Sequence, residues 1–171
     1  MFGPKELIEL LNNQGYDFDI EEHEPLFTVE DSNRYRGEIK GTHSKNLFLK
    51  NKKNNFYLVS CEEFTALNLK KISKCLSFGN VSFANEEHLL KLLKVKPGSV
   101  TPFALLNDTE NKIEFYLEEK LYKSEYINFH PLTNTLTLTI LLEQFVEFMI
   151  ENNKKIHIFS AAEEKLIKTY E

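Results

Sequence analysis

The order of apolar runs along the chain is the feature that most limits how it can fold. Residues 46–49 and 56–59 are two short apolar runs on either side of the polar stretch 50–55. A connection of this length is too short for a helical crossover, so the two runs are predicted to pair as a β-hairpin. Because hairpin strands run antiparallel, the sheet that contains them cannot be purely parallel.

Other segments show either the two-residue period of strands or the 3.6-residue period of helices. Further strands are predicted at residues 16–20, 81–83, 103–106, 113–117, 126–129, 136–140 and 156–159. Helices are predicted at residues 5–14, 67–76 and 142–150, from Asn85 to Pro97-Gly98, and through Arg34 and Arg36. The polar residues from Ala161 onward are expected to fray.

Helical segments and hairpins alternate within 171 residues, and neither an internal repeat nor a long linker interrupts them. A chain of this length suits one domain, which we expect to span residues 1–171. The predicted fold class is α+β: a single domain with a mixed, mostly antiparallel sheet flanked by helices.

Charge is distributed unevenly along the chain, whose formal net charge is -5. Residues 1–39 carry 3 basic and 10 acidic side chains, residues 40–96 carry 11 lysines and 4 glutamates, and residues 97–171 carry 7 lysines and 12 acids. The net charges of the three parts are therefore -7, +7 and -5. The middle third is a candidate surface for an anionic partner such as nucleic acid, although a solvated lysine-rich face without function has the same composition.

Several classes of protein are excluded or disfavoured by what the sequence lacks. It has no run of about 20 apolar residues that could cross a membrane, and no Gly-rich phosphate-binding motif or nucleophile-elbow motif. Its five histidines lack the spacing of a metal site, so no metal or other cofactor is expected. Cys61 and Cys75 are expected to be buried free thiols. The chain is accordingly expected to be soluble and cytoplasmic.

Three segments combine polar groups with glycine or proline. The first is a Gly-led loop before a strand, with Lys45 and Asn46. The second is a rigid loop with prolines at both ends, whose backbone N–H groups could stabilise an oxyanion; its residues are Gly98, Ser99, Val100, Thr101 and Pro102. The third places His130 at a strand end before a turn. Each segment also has an interpretation without function. Lys45 could be an exposed lysine, the loop of residues 98–102 could only end a helix, and His130 could be a turn residue.

The strings THSKNLFLK, FANEEHLLKLLKVKPGSVTPFALLND and YINFHPLTNTLTL, in this order, carry a family resemblance. They resemble freestanding trans-editing proteins of the YbaK-like superfamily, related to the editing domain of bacterial prolyl-tRNA synthetase. The most similar branch is the alanyl-tRNA(Pro) deacylases of the ProXp-ala type. The resemblance runs from about Phe27 to Ile140. It implies the editing-domain fold, and hydrolysis of the ester in mischarged Ala-tRNA(Pro) without metal or cofactor.

The resemblance also implies roles for particular residues. Lys45 and Gly98 are the expected catalytic residues, and the expected substrate-binding residues are Asn46, Ser99, Val100, Thr101, Pro102 and His130. Lys45 would hold the terminal phosphate or ribose, and the N–H groups after Gly98 would stabilise the oxyanion. His130 would limit the size of the amino acid, and a ribose hydroxyl would help to activate water. The implied partner is the acceptor end of tRNA(Pro), with prolyl-tRNA synthetase as a further partner.

Other functions remain open from the sequence. A related deacylase could act on Cys-, Ser- or Thr-tRNA, because pocket shape decides among them. A catalytically silent module could bind tRNA or protein through the same fold. A small-molecule-binding protein without an RNA partner conflicts only with the lysine-rich middle third.

Overall fold

The computed structural model describes residues 1–25 and 39–171. Its helices are α1 (Pro4–Asn13), α2 (Leu69–Cys75), α3 (Glu86–His88, continued by a π-helix at Leu89–Leu93), a 3-10 helix (Pro102–Asn107), α4 (Glu119–Tyr122) and α5 (Leu142–Glu151). The strands are β1 (Phe18–Glu22), β2 (Thr42–Asn51), β3 (Phe56–Glu62), β4 (Val81–Phe83), β5 (Ile113–Glu118), β6 (Tyr126–Phe129), β7 (Leu136–Leu141), β8 (Ile156–Ser160) and β9 (Lys165–Tyr170). The helix predicted through Arg34 and Arg36 lies outside the described residues.

The nine strands of the described residues form one sheet in the order β1-β7-β6-β2-β3-β5-β8-β9, with β4 paired to β2. The β1–β7, β6–β7, β2–β3, β2–β4 and β8–β9 pairs are antiparallel. The β2–β6, β3–β5 and β5–β8 pairs are parallel. The structure therefore confirms an α+β fold with a mixed, mostly antiparallel sheet, and it confirms the hairpin of β2 and β3.

The larger core lies on the face of the sheet covered by α1, the π-helix, the 3-10 helix and α5. Its centre is a set of phenyl rings. Phe103 packs edge-on against Phe129 and Phe145, with centroids 5.9 and 5.7 Å apart, and Phe129 lies 4.9 Å from Phe145. Edge-on contacts of this kind suit the positive rim and negative face of aromatic rings.

A smaller core lies on the opposite face of the β2–β3 hairpin. Helix α2 contributes Ile72, and Phe78 stacks on Tyr57 of β3 with centroids 4.0 Å apart. Leu49 of β2 packs in this cluster, whereas its neighbour Phe48 packs in the larger core. Since successive side chains of a strand point to opposite faces, β2 is fixed between two hydrophobic cores.

The strand predicted at residues 103–106 is wrong, because the 3-10 helix Pro102–Asn107 occupies this position. Pro102 starts the helix, where its missing N–H costs no hydrogen bond. Phe103, Ala104 and Leu105 are all buried in succession, so the segment lacks an exposed face. A short, continuous apolar run of this kind does not distinguish a strand from a buried helical turn.

Two further predictions also differ from the structure: where the helix after Asn85 ends, and the fraying of the last residues. The helix after Asn85 ends at Leu93, before Pro97, since Lys94 adopts the left-handed conformation with φ 57°. The residues after Ala161 do not fray: β9 pairs antiparallel with β8, and the hydroxyls of Tyr122 and Tyr170 are 2.6 Å apart. Strand β9 has no buried face, which explains why its sequence carries no hydrophobic alternation.

We expect the substitution Phe103→Ala to lower the free energy of unfolding by about 3–5 kcal/mol, because it leaves a cavity among three phenyl rings. Phe83→Ala is the matched control, as the Phe83 side chain is 61% exposed. Urea denaturation followed by circular dichroism measures both. Equal losses in the two variants would contradict the placement of Phe103 at the centre of the core.

Candidate active site

Lys45 lies within strand β2, opposite Cys61 of β3. It shares a face of the strand with Leu47 and Leu49 of the smaller core. Its Nζ donates a hydrogen bond of 2.5 Å to the carbonyl of Thr65, in the segment that follows β3. This hydrogen bond holds the flexible Lys45 side chain at the open end of the β2–β3 hairpin, opposite its turn. Lys45 is therefore a strand residue, and not part of a loop before the strand.

The thiol of Cys61 is inert at neutral pH. Burial raises the pKa of Cys61 to about 12, although the neighbouring ammonium of Lys45 lowers it. A thiol becomes a nucleophile only as the thiolate. Cys61 therefore belongs to the packing between strands, as its complete burial indicates.

Asn46 points to the opposite face of β2 from Lys45, on the side of Phe48. Its Oδ1 accepts a hydrogen bond of 2.5 Å from Oγ of Ser60, which is completely buried. Ser44, on the same face of β2, donates to the carbonyl of Asn128 at 2.8 Å. These contacts hold the side chain of Asn46 in one orientation. A role for Asn46 in positioning is compatible with this arrangement, but Asn46 and Lys45 cannot both face one side of the strand.

Asn128 of β6 is a buried polar residue that the sequence analysis did not single out. Its Oδ1 accepts a hydrogen bond of 2.5 Å from Thr139 of β7. Its Nδ2 has no acceptor among the residues that the structure describes. Gly41, with φ +99°, lies so close that an added Cβ would be 3.2 Å from Asn128 Oδ1 and 3.0 Å from the Tyr126 carbonyl. The only sequence signal for Asn128 was an amide in the middle of an apolar strand.

His130 follows β6 and is grouped with two other histidines. Its Nδ1 lies 2.9 Å from the carbonyl of Leu136, which can only accept, so Nδ1 carries the proton. Burial lowers the pKa of His130, and His23 and His43 lower it further. The rings of His23 and His130 are 6.2 Å apart. At neutral pH His130 is thus an uncharged ring whose Nε2 can only accept a hydrogen bond. Sequence reasoning missed both neighbouring histidines.

The loop of residues 98–102 follows the π-helix. Gly98 has φ +87°, a conformation that favours glycine, and it is exposed, whereas Thr101 is completely buried. The N–H of Ser99 donates to the carbonyl of Lys96 at 3.1 Å, so this donor is occupied by a turn. Within the described residues the N–H groups of Gly98, Val100 and Thr101 have no acceptor. Three of the four N–H groups that were expected to stabilise an oxyanion are therefore unpaired within the described residues.

Thr101 also has a hydroxyl without a partner. Its Oγ1 is buried and forms no hydrogen bond within residues 1–25 and 39–171. A buried donor left unsatisfied costs about 1–3 kcal/mol. The loop thus holds unpaired polar groups beside a well-packed core, since its last residue, Pro102, and the following Phe103 are buried.

A cavity of about 430 Å³ joins this loop to the turn that follows His130. Ser99 lines one side, and residues 132–134 line the other, together with the chain start and residues 94–97. Ser99 is the residue of the 98–102 loop that lines it; the other expected site residues are not among its described lining residues, namely Lys45, Asn46, Gly98, Val100, Thr101, Pro102 and His130. The structure therefore brings the second and third sequence segments together, while β2 presents Lys45 separately.

The described residues include no group of three His, Cys, Asp or Glu side chains arranged to hold a metal ion. The three neighbouring histidines do not form such a group. Over the same residues, every helix is too short or too polar to traverse a bilayer.

The buried state of His130 predicts a pH dependence of stability. Its folded pKa lies below the usual value of 6.5, so the unfolded chain binds a proton more readily. We expect the free energy of unfolding to fall as pH decreases below about 6.5 and the substitution His130→Asn to reduce this fall. The amide of asparagine can still donate to the Leu136 carbonyl.

Urea denaturation at about pH 7.5 and about pH 5.5 measures the effect. Burial lowers the pKa of His157 as well, so the difference between His130→Asn and the unsubstituted chain isolates the contribution of His130. An unchanged pH dependence in that variant would refute the assignment.

Comparison with known proteins gives one consistent family. Residues 23–148 match the family described as the aminoacyl-tRNA editing domain. The prolyl-tRNA synthetase associated domain-containing protein 1 of Xenopus laevis is 39% identical over 133 residues, covering 75% of this chain and 79% of the relative. The corresponding protein of Danio rerio is 36% identical over 149 residues, covering 86% and 81%.

A bacterial relative and a solved structure agree with this. The prolyl-tRNA editing protein ProX of Acetoanaerobium sticklandii is 29% identical over 147 residues, covering 85% of this chain and 90% of the relative. A crystal structure described as a candidate trans-editing enzyme for prolyl tRNA synthetase superimposes with a TM-score of 0.64 at 18% identity, covering 96% of both chains, which supports the fold. The resemblance to aminoacyl-tRNA editing proteins seen in the sequence is thus confirmed, and it indicates that the chain is an aminoacyl-tRNA deacylase. With β2, the loop of residues 98–102 and His130 all inside the matched segment, the chain belongs to the aminoacyl-tRNA editing domain family.

Proposed function

We propose that this chain hydrolyses the ester bond of mischarged Ala-tRNA(Pro), releasing alanine and free tRNA(Pro). The observation that carries the proposal is the set of unpaired N–H groups at Gly98, Val100 and Thr101. Attack of water on an ester carbonyl places negative charge on the carbonyl oxygen. Backbone donors that are fixed before the reaction stabilise that oxygen without reorganisation.

In the proposed reaction, a water oxygen bonds to the ester carbonyl carbon and the bond to the ribose oxygen breaks. The ribose oxygen leaves with a proton, and alanine departs as the carboxylate with release of one proton to solvent. The neighbouring ribose hydroxyl of the substrate positions the water. Lys45 supplies positive charge to the terminal phosphate or ribose. Its contact with a backbone carbonyl, in place of a carboxylate, leaves this charge available.

Selection of alanine is assigned to the size of the pocket. The ring of His130 is uncharged and held by the Leu136 carbonyl, which suits a wall better than a proton carrier. We also assign Asn46 of the strand and Ser99, Val100 and Pro102 of the loop to substrate binding. A synthetase that accepts proline cannot strongly reject the smaller alanine, because the missing contacts are worth only about 1–3 kcal/mol. A second site that excludes proline by size completes the discrimination.

The partners follow from the reaction. The acceptor end of tRNA(Pro) is the substrate, and prolyl-tRNA synthetase is proposed as a further partner on the basis of the names of the relatives. An acidic chain with formal charge -5 binds RNA weakly unless basic residues are concentrated on one surface. Delivery of the mischarged tRNA by the synthetase would compensate for that weakness.

The substitution Lys45→Ala is expected to lower kcat/KM for Ala-tRNA(Pro) by about 100-fold, because an ester that is no longer held in register reacts more slowly by roughly this factor. Lys112→Ala is the matched control, because Lys112 is exposed and paired with Glu110. Release of labelled alanine is measured, with Pro-, Ser- and Cys-tRNA(Pro) as competing substrates. If the ester of a different amino acid is hydrolysed, the chain has the specificity of another branch of the family. If none of the four esters is hydrolysed, the chain is a binding module.

Thr101→Val tests the loop separately. Valine keeps the shape of the side chain and removes the unpaired hydroxyl, so we expect the free energy of unfolding to rise by about 1 kcal/mol. If the hydroxyl contacts the substrate, kcat should fall at the same time, and thermal unfolding with the alanine-release assay measures both. Higher stability with unchanged kcat would restrict the role of Thr101 to its backbone N–H.

A further inference from the structure

A groove lies between α2 and the turn of the β2–β3 hairpin, away from the candidate active site. One part is a cavity of about 620 Å³ lined by α2 and the segment after it, including Lys70, Ser73 and Lys74. The adjoining part is a cavity of about 260 Å³ lined by the hairpin turn, including Lys52 and Lys53. The two parts share Ser77, Gly79 and Asn80, so they form one continuous groove.

Within the residues that the structure describes, the lysines of the groove have no acidic partner. Lys52, Lys53, Lys70 and Lys74 form no ion pair within the described part of the chain. Several lysines elsewhere do have glutamate partners, namely Lys112 with Glu110, Lys123 with Glu119, Lys155 with Glu171 and Lys165 with Glu163. Even on α2, Lys71 is paired with Glu164 at 3.1 Å. Other described lysines, such as Lys91 and Lys96, also lack an ion pair, so what distinguishes these four is that they line one groove. Positive charge concentrated in this way attracts a polyanion.

A buried hydroxyl points to an anionic ligand in the same groove. Ser73 lines it and is only 7% exposed, and its Oγ has no hydrogen-bond partner among the described residues. A solvated lysine face does not require such a group, whereas a phosphate oxygen would accept a hydrogen bond from it. Ser77 and Gly79 have positive φ, 60° and 74°, so the backbone turns sharply at the floor of the groove.

The groove lies on the same face of the sheet as Lys45. Helix α2 packs through Ile72 on the smaller core, which includes Leu49 and, at its edge, Leu47. Lys45, Leu47 and Leu49 alternate along β2 and therefore share one face. From Lys45 to Asn51, at the mouth of the groove, β2 extends by six residues, or roughly 20 Å. A ligand bound at Lys45 must be longer than a single nucleoside to reach the groove.

We propose that this groove binds backbone phosphates of the tRNA while its aminoacylated 3′ end lies at Lys45. The inference rests on the proposed function and deepens it by assigning a second contact for the same substrate. RNA suits the groove because its phosphates repeat along a chain, as do the four lysines along two joined cavities. Such contacts bind any sequence, so the groove supplies affinity and not discrimination between tRNAs.

The test removes the four charges together in the variant Lys52→Ala/Lys53→Ala/Lys70→Ala/Lys74→Ala. Its matched control removes the same total charge from paired lysines, as Lys112→Ala/Lys123→Ala/Lys155→Ala/Lys165→Ala. Two substrates are compared: full-length Ala-tRNA(Pro) and the alanyl ester of adenosine, which is too short to reach the groove. Hydrolysis is followed at several salt concentrations.

For the groove variant we expect KM for the tRNA to rise about 10-fold or more at low salt, with kcat unchanged. The dependence of log KM on log salt should become shallower by about 3 to 4, since each of the four lost phosphate contacts contributes about 0.7–0.9. Hydrolysis of the adenosine ester should stay unchanged. Ser73→Ala should weaken tRNA binding without changing that hydrolysis.

Equal effects of the groove variant and its control would overturn the proposal, as would loss of hydrolysis of the adenosine ester in the groove variant. Binding of uncharged tRNA, measured by fluorescence anisotropy, separates this proposal from the proposed function. If the unsubstituted chain hydrolyses no ester but binds tRNA, and only the groove variant loses that binding, the groove is supported and the catalytic function is contradicted. Hydrolysis of both substrates by the groove variant with unchanged tRNA binding would contradict the groove alone.

Discussion

The packing of β2 between two hydrophobic cores is the constraint on which the rest of the structure depends. Phe48 is buried on one face, and Leu49 is buried on the other. Slipping the strand by one residue would exchange these faces and expose large apolar side chains. The same alternation fixes Lys45 on the face of the smaller core and Asn46 on the face of the larger one. Register is thus determined by hydrophobic burial, and the polar residues inherit their positions from it.

The candidate site is built from polar groups that the folded chain leaves incompletely paired. The loop after Gly98 holds unpaired N–H groups next to the buried hydroxyl of Thr101, and Asn128 retains an unpaired amide nitrogen in the described structure. Folding normally pairs buried polar groups, because leaving them unpaired lowers stability. The unpaired groups of the loop, next to the tightly packed ring of Phe103, are consistent with stability exchanged for the ability to bind a polar reacting group.

Prediction from sequence succeeded where a periodic pattern coincided with turn residues. The β2–β3 hairpin, β5, β6, β7, β8, α1 and α5 follow from such patterns. It failed at Pro102–Asn107, where an apolar run is buried on all sides, and at β9, whose residues are exposed on both faces. Both failures have one physical origin: without a contrast between a buried and an exposed face, spacing carries no information on the element.

The mixed sheet and the candidacy of Lys45, Gly98 and His130 can be inferred from the amino-acid sequence, because local periods and short motifs encode them. Three features require the folded chain: the N–H of Ser99 is occupied, Asn128 lies beside a group of three histidines, and Lys45 and Asn46 face opposite sides of β2. Residues distant in the chain meet through strand pairing, as His43 and Asn128 do across β2 and β6. Such pairing depends on which faces of distant segments are buried together, and a local sequence pattern contains no information on that.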